Sequence, residues 1–178
     1  MDIRPNTLKS ALVSLLIVTA SLVTAAEPSD GVDNRTIDLG DVGASSSPWI
    51  SSKVPKPVRA RLEASFRIAA QRLSDNAQCR ALFTELGANG FEALASTLYY
   101  PASQQNEKQV CRGAFGYTTV GSAPTFLCRR FSRLSERRAA LVLIHEGLHR
   151  AGMGEWPQDT EGLPSSAIND LVAEACGL

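Results

Sequence analysis

Several residue types and patterns are scarce in this 178-residue sequence, and each scarcity narrows the range of functions. There are only two histidines, and 18 Lys and Arg residues balance 18 Asp and Glu residues, so the formal net charge is zero. Because the sequence also shows no basic stripe, nucleic acids and anionic membrane surfaces are poor candidates for partners. None of the four cysteines belongs to a C-x-x-C pair, which argues against a zinc site built from cysteines alone.

The beginning of the chain has the pattern of a secretory signal peptide. Arg4 and Lys9 precede an apolar run over residues 11–23, and residues 24–26 are the small residues that a signal peptidase accepts. The run is shorter than the ~20 apolar residues that a membrane-spanning helix requires, which disfavours an anchor. We therefore predict a signal peptide over residues 1–26, a secreted or periplasmic location, and no membrane association after cleavage.

The rest of the chain divides into a leader and one domain. Residues 27–57 are rich in Ser, Gly, Asp and Pro and show no sustained periodicity, which predicts a flexible leader. Residues 58–178 carry the periodic patterns of a folded domain. A mature chain of this size can bury roughly 68–70% of its unfolded surface, so one hydrophobic core is feasible.

All four cysteines lie in the predicted domain. An even number of cysteines in an exported chain predicts two disulfide bonds. Three pairings are possible. Of these we favour Cys111–Cys128, which would close a hairpin, together with Cys79–Cys176, which would tie an early helix to the last one.

Hydrophobic periodicity predicts three helices in the first half of the domain. Residues 58–73 place apolar side chains at steps of three and four, and residues 77–86 form a second helix that stops at a glycine. A third helix is predicted to start after Asn89, which is an N-cap type of residue with a glutamate three positions later. This helix should end before Pro101.

The second half of the domain begins with a predicted hairpin. Residues 102–110 are polar and predict a loop. Residues 114–120 and 125–128 are rich in aromatic residues and threonine and predict two short strands, joined by a turn that contains Gly and Pro.

Two helices complete the predicted fold. Ser135 is the expected N-cap of a long helix, and Gly152 is placed where a left-handed residue ends it. Ser165 or Ser166 is the expected N-cap of the last helix. The predicted fold class is therefore α+β, with N-terminal helices, a short antiparallel hairpin, a long helix and a C-terminal helix.

The long helix carries an H-E-x-x-H motif over residues 145–149. Side chains four residues apart on a helix lie one above the other, with Cβ atoms about 5–6 Å apart, so His145 and His149 can bind one zinc ion. Glu146 is turned by about 100° around the helix axis from His145 and therefore borders the ion. We predict that Glu146 acts as a general base on a water molecule that zinc has made acidic.

The third zinc ligand must be a carboxylate, because a catalytic site needs three protein ligands and the sequence has no third histidine. Glu155 follows His149 by six residues, after a glycine at which the chain can turn back, and is the predicted ligand. Asp159 and Asp170 are the alternatives. If Glu155 binds the metal, Asp170, Asp159 or Glu174 could accept a ring N–H from a ligand histidine.

The segment from His145 to Glu155 resembles the zincin metallopeptidases, most closely the metzincin pattern with Glu155 in place of a third histidine. The resemblance implies a zinc endopeptidase in a small exported protein of bacterial type. It also implies a protein or peptide substrate that lies along an edge strand above the helix, which here would be Thr125 to Cys128.

Two further resemblances favour other third ligands. The strand before the motif, with Cys128 and Phe131, resembles the aspzincin peptidases, in which an aspartate shortly after the second histidine binds the metal, as Asp159 would. Residues 165–170 are similar to the third-ligand helix of thermolysin-like enzymes, which would favour Asp170.

Peptide hydrolysis also requires a group that stabilises the negative charge on the carbonyl oxygen during attack. Tyr117 is the favoured candidate because it precedes the predicted edge strand, and Tyr99 and Tyr100 are the other phenols. An alternative function is a binding module with a structural or vestigial metal, motivated by the small size and by the absence of a metzincin methionine turn. A third hypothesis is an amidase or peptidase that acts on cell-wall peptide.

Overall fold

A computed structural model describes residues 48–178 of the chain. The predicted signal peptide, residues 1–26, and the predicted leader up to residue 47 lie outside the described residues. Among the helices that the structure describes, none combines the length and the apolar character that crossing a bilayer requires.

The described residues contain six α-helices, one 3-10 helix and six short strands, which confirms the α+β fold class. The helices are α1 (Lys56–Asp75), α2 (Ala77–Thr84), α3 (Gly90–Ala95), α4 (Gln104–Gln109), the 3-10 helix (Arg129–Arg133), α5 (Glu136–Arg150) and α6 (Ser165–Cys176). The strands are β1 (Trp49–Ile50), β2 (Leu98–Pro101), β3 (Gly116–Thr118), β4 (Pro124–Leu127), β5 (Glu155–Trp156) and β6 (Leu163–Pro164).

The first helices form where periodicity and capping residues predict them. The apolar stripe of α1 is buried, from Val58 at its start to Leu73 near its end. Asn76 separates α1 from α2 and caps α2 with its side chain, which accepts hydrogen bonds from the backbone N–H groups of Gln78 and Cys79. Asn89 caps α3 in the same way, as predicted.

Four strands form a mixed sheet in the order β1-β2-β4-β3. The predicted hairpin is confirmed, because β3 pairs antiparallel with β4 and places Tyr117 opposite Phe126. On its other side β4 pairs in parallel with β2, and β2 pairs in parallel with β1. The prediction that Thr125 to Cys128 forms an edge strand is therefore wrong, because β4 is paired on both sides and β3 lies at the edge.

The structure differs from the sequence predictions in three other segments. Residues 98–101 form β2 and do not continue the third helix, because pairing with β4 satisfies their backbone groups. Residues 104–109 form α4, a short helix without buried side chains, whereas their polar sequence predicts a loop. The predicted leader 27–57 extends too far, since Trp49–Ile50 joins the sheet and Val54 is buried.

Both favoured disulfides are present. Cys79–Cys176 joins α2 to the end of α6 across 97 residues of sequence, and Cys111–Cys128 joins the two segments that flank the hairpin. No free cysteine occurs in the part of the chain that the structure describes. The predicted pairing is thus confirmed.

Helix α5 lies at the centre of the fold. Every residue from Ala139 to His149 is buried, because α5 contacts α1, α3, α6 and β3. Ser135 caps its first turn, and Gly152 follows its C-cap with a φ of 109°, as the sequence predicts. The last helix, α6, has Pro164 at its N-cap and Ser165 as its first residue, so neither predicted serine cap is used.

Candidate metal centre

Three side chains from α5 and β5 converge at one point. The Nε2 atoms of His145 and His149 are 2.9 Å apart, and His149 Nε2 is 3.1 Å from Glu155 Oε2. One possible ligand atom from each of the three residues lies within 4.8 Å of the other two. These three residues are therefore close enough to hold a metal ion.

The end of α5 explains how Glu155 reaches the two histidines. The backbone N–H of Met153 donates to the carbonyl of Leu148 (2.9 Å), and the positive φ of Gly152 lets the chain reverse direction. The chain then enters β5, which begins with Glu155 and pairs with β6. The glutamate side chain thus returns over the last turn of the helix.

The two imidazole rings are oriented by hydrogen bonds from their outer nitrogens. His145 Nδ1–H donates to Asn169 Oδ1 (3.0 Å), and His149 Nδ1–H donates to the carbonyl oxygen of Met153 (2.8 Å). Because both partners are acceptors, the neutral form of either ring carries its proton on Nδ1 and a lone pair on Nε2. Two lone pairs and the Glu155 carboxylate oxygen then face one another with no donor between them, an arrangement that fits a cation.

The electrostatic environment keeps one of these rings neutral. Burial lowers the pKa of His145 to about 4, and the neighbouring His149 acts in the same direction, while Glu155 and the bond to Asn169 oppose the change less strongly. At neutral pH the ring is therefore uncharged, which is the form that binds metals.

Glu146 lies beside this group without belonging to it. The residue is only 6% exposed, and its Oε2 atom has no hydrogen-bond partner among the described residues. Burial raises the pKa of Glu146 to about 8, the Thr118 side chain acts in the opposite direction, and Glu155 adds to the increase. A cation bound by the histidines would favour the carboxylate form and return Glu146 to a proton acceptor.

The group lies in a cleft of about 930 Å³, a size suited to a ligand. One wall consists of β3 and the residues after it, up to Val120, and the other consists of Trp156 to Asp159 and the start of α6. His145, Glu146 and His149 all line this cleft, although each is buried.

The alternative ligands are not part of the converging group. Asp159 lines the cleft, but its Oδ1 accepts the N–H of Glu161 and the residue is not part of the converging group. Asp170 and Glu174 are exposed on α6. None of these three acids accepts the ring N–H of a histidine, because Asn169 and the Met153 carbonyl fill those positions.

Asn169 is the site residue that the sequence predictions missed. A weak signal was present, since asparagine is unfavourable inside a helix unless its side chain finds a partner. It also lies next to Ile168, which is fully buried in the face that α6 turns toward the core.

The three tyrosines have different surroundings. Only Tyr117 lines the cleft, where its hydroxyl accepts a hydrogen bond from Asn106 and its ring stacks on Phe126. Tyr99 is 1% exposed, and burial raises its pKa above the usual range. Tyr100 packs between Trp49 and Phe126 on the sheet. The proposed role in stabilising an oxyanion therefore stays a prediction for Tyr117.

Comparison of the chain with protein-family models, with curated proteins and with solved structures gave no match. The chemistry of the site follows from its own donor atoms. Two imidazole nitrogens and one carboxylate oxygen form a ligand set that zinc accepts, and a fourth position facing the cleft is typical of catalytic sites.

Proposed function

We propose that this protein is an exported zinc-dependent peptidase of the zincin type. His145, His149 and Glu155 would hold the ion, and Glu146 would act as the general base. The observation that carries the proposal is the meeting of three acceptor atoms, without a donor, beside a buried carboxylate oxygen that has no partner of its own among the described residues.

The residues around the site would each have a defined task. When bound, zinc would polarise the substrate carbonyl and lower the pKa of a water molecule toward ~7. Glu146 Oε2 would accept the proton of that water and pass it to the leaving amine. Asn169 and the Met153 carbonyl would keep both Nε2 atoms directed at the ion.

The walls of the cleft support a peptide as the substrate. Strand β3 lies at the edge of the sheet and lines the cleft, so the backbone groups on its unpaired side can bind an extended peptide. Three of the large apolar residues that are exposed also line the cleft, namely Val110, Val120 and Trp156. An extended chain with apolar side chains would satisfy both features.

Export is supported by the two disulfide bonds, which persist in oxidising compartments and are rare in the cytosol. It is also supported by the predicted signal peptide over residues 1–26. A zinc peptidase in such a compartment would act on extracellular or envelope peptides.

The proposal is tested by Glu146→Gln. Because Glu146 is not a ligand in this proposal, the variant should bind zinc as the wild type does, while cleavage of casein or of peptide substrates should fall about 100-fold or more. Zinc content is measured on the purified chain, and cleavage is measured on the same preparation.

Glu174→Gln is the matched control, since it removes an exposed carboxylate from α6 and should leave both quantities unchanged. Equal cleavage by wild type and Glu146→Gln would refute the proposed mechanism. Full zinc occupancy without cleavage of any peptide would favour the binding module, and a chain that takes up no divalent metal would exclude both.

A further inference from the structure

A second cavity, of about 500 Å³, lies beside the Cys111–Cys128 disulfide and shares no lining residue with the active-site cleft. Besides Cys111, it is lined by three arginines and two apolar residues: Arg112, Arg130, Arg133, Phe115 and Leu134. We call it the arginine pocket. No acidic residue lines it in the part of the chain that the structure describes, and its volume is in the range that small ligands occupy.

One of the three arginines is already held in place. Arg130 Nη1 donates to the carbonyl oxygens of Arg112 (2.7 Å) and Cys111 (3.5 Å). Its guanidinium carbon also lies 4.2 Å from the centre of the Phe115 ring. Because these contacts fix the guanidinium group before a ligand arrives, less conformational entropy is lost when an anion binds to its remaining N–H groups.

The surroundings of the pocket are strongly positive. Residues 129–138 contain five arginines and a single acid, Glu136, which lies 3.6 Å from Arg61 on α1. Among residues 48–178, no carboxylate lies within 4.0 Å of a lining arginine. The zero net charge of the whole chain conceals this local excess of arginines. The cleft differs, because the described residues that line it include the acids Glu146, Glu155 and Asp159 but no Lys or Arg.

We propose that the arginine pocket binds the phosphate group of a ligand whose adjoining part is apolar. A phosphate monoester carries a charge of about −1.5 to −2 at pH 7 and offers three acceptor oxygens, which matches three guanidinium groups better than a carboxylate does. Leu134 and Phe115 provide the apolar surface for the rest of the ligand. This binding depends neither on the metal centre nor on peptidase activity.

Calorimetric titration of the purified full chain tests the proposal with three probes: phenyl phosphate, inorganic phosphate and phenol. Phenyl phosphate should bind saturably, inorganic phosphate more weakly, and phenol not at all. The double variant Arg112→Ala/Arg133→Ala should weaken phenyl phosphate binding at least tenfold, whereas Arg67→Ala, an exposed arginine on α1 outside the pocket, should not.

Vesicles of phosphatidylcholine with and without phosphatidic acid distinguish a lipid source of the phosphate from a soluble one. Binding that the double variant loses supports the pocket in either case. A circular dichroism spectrum and a thermal unfolding midpoint like those of the wild type show that the double variant is folded, and Arg133→Gln provides a milder substitution if it is not. The proposal is overturned if wild type shows no saturable binding below ~10 mM phenyl phosphate, or if the pocket variants bind as tightly as wild type.

Discussion

At the scale of single residues, the positions of protons and lone pairs determine what the centre can bind. Each histidine donates its Nδ1–H to an acceptor, so the two Nε2 atoms are left close to one another and to a carboxylate oxygen of Glu155. Asp170, an alternative ligand from the sequence, is exposed on α6 and is not part of the converging group. Zinc affinity should therefore depend on Glu155 and not on Asp170.

We expect Glu155→Ala to lower zinc affinity by about 100-fold or more, because it removes one of three ligands and even the loss of a supporting residue typically costs 10–100-fold. Asp170→Ala, the matched control, should leave the affinity unchanged. Competition with a chromophoric chelator measures both values. If the two effects are reversed, the assignment of the third ligand is wrong.

At the scale of elements, the close approach of α5 and α3 sets the position of the motif. A Cβ atom at Gly147 would lie 2.8 Å from Leu94 Cδ2 on α3 and 3.3 Å from Phe83 Cζ on α2, so a larger side chain would have to displace these buried side chains. Glycine inside a helix costs about 1 kcal/mol relative to alanine. The close packing of α5 against its neighbours offsets that cost, and it also holds His145 and Glu146 at the floor of the cleft.

Gly147→Val should therefore lower the free energy of unfolding by about 1–3 kcal/mol through overpacking. Urea denaturation of the metal-free protein measures the change. Ala81→Val introduces the same side chain at an exposed position of α2 and should cost no more than about 0.7 kcal/mol. A Gly147→Val variant as stable as wild type would show that the close helix packing has no energetic role.

At the scale of the whole molecule, the Cys79–Cys176 disulfide links α2 to α6, a helix that helps to orient the metal centre. It closes 97 residues of chain and anchors α6, the helix that carries Asn169, against α2. The Cys111–Cys128 disulfide closes only 17 residues. Since a cross-link that closes a longer loop removes more entropy from the unfolded chain, the two bonds should contribute unequally to stability.

Replacement of Cys79 and Cys176 by serine should lower the free energy of unfolding by about 4–5 kcal/mol, and replacement of Cys111 and Cys128 by about 3 kcal/mol. Denaturant titrations of both variants, with a chelator present so that bound metal does not contribute, give the comparison. A larger loss for the shorter loop would contradict the entropic argument.

The features that the sequence predicts correctly depend on near neighbours along the chain. The N-cap at Ser135, the stop at Gly152 and the one-turn spacing of His145 and His149 are all set within a few residues, so a linear pattern contains them. The apolar stripe of α1 is predicted for the same reason.

The features that the sequence predicts wrongly depend on contacts between segments that are far apart along the chain. The local pattern predicts helix for β2 and an edge position for β4. The structure differs because Leu98 pairs with Pro124, which joins segments 26 residues apart. The short sequences of β2 and β4 do not indicate which strand each will pair with. Strand order depends on how the helices and strands pack around one core.

The sequence by itself thus determined the helix, the two histidines and the glutamate between them, because one turn of α-helix fixes their geometry. Only the tertiary structure decided that Glu155 lies beside them, that Asn169 orients His145, that β3 lines the cleft, and that three arginines line one cavity beside a disulfide. These arrangements join residues from different elements, and such residues come within contact distance only when the core that α5 shares with α1, α3 and α6 has formed.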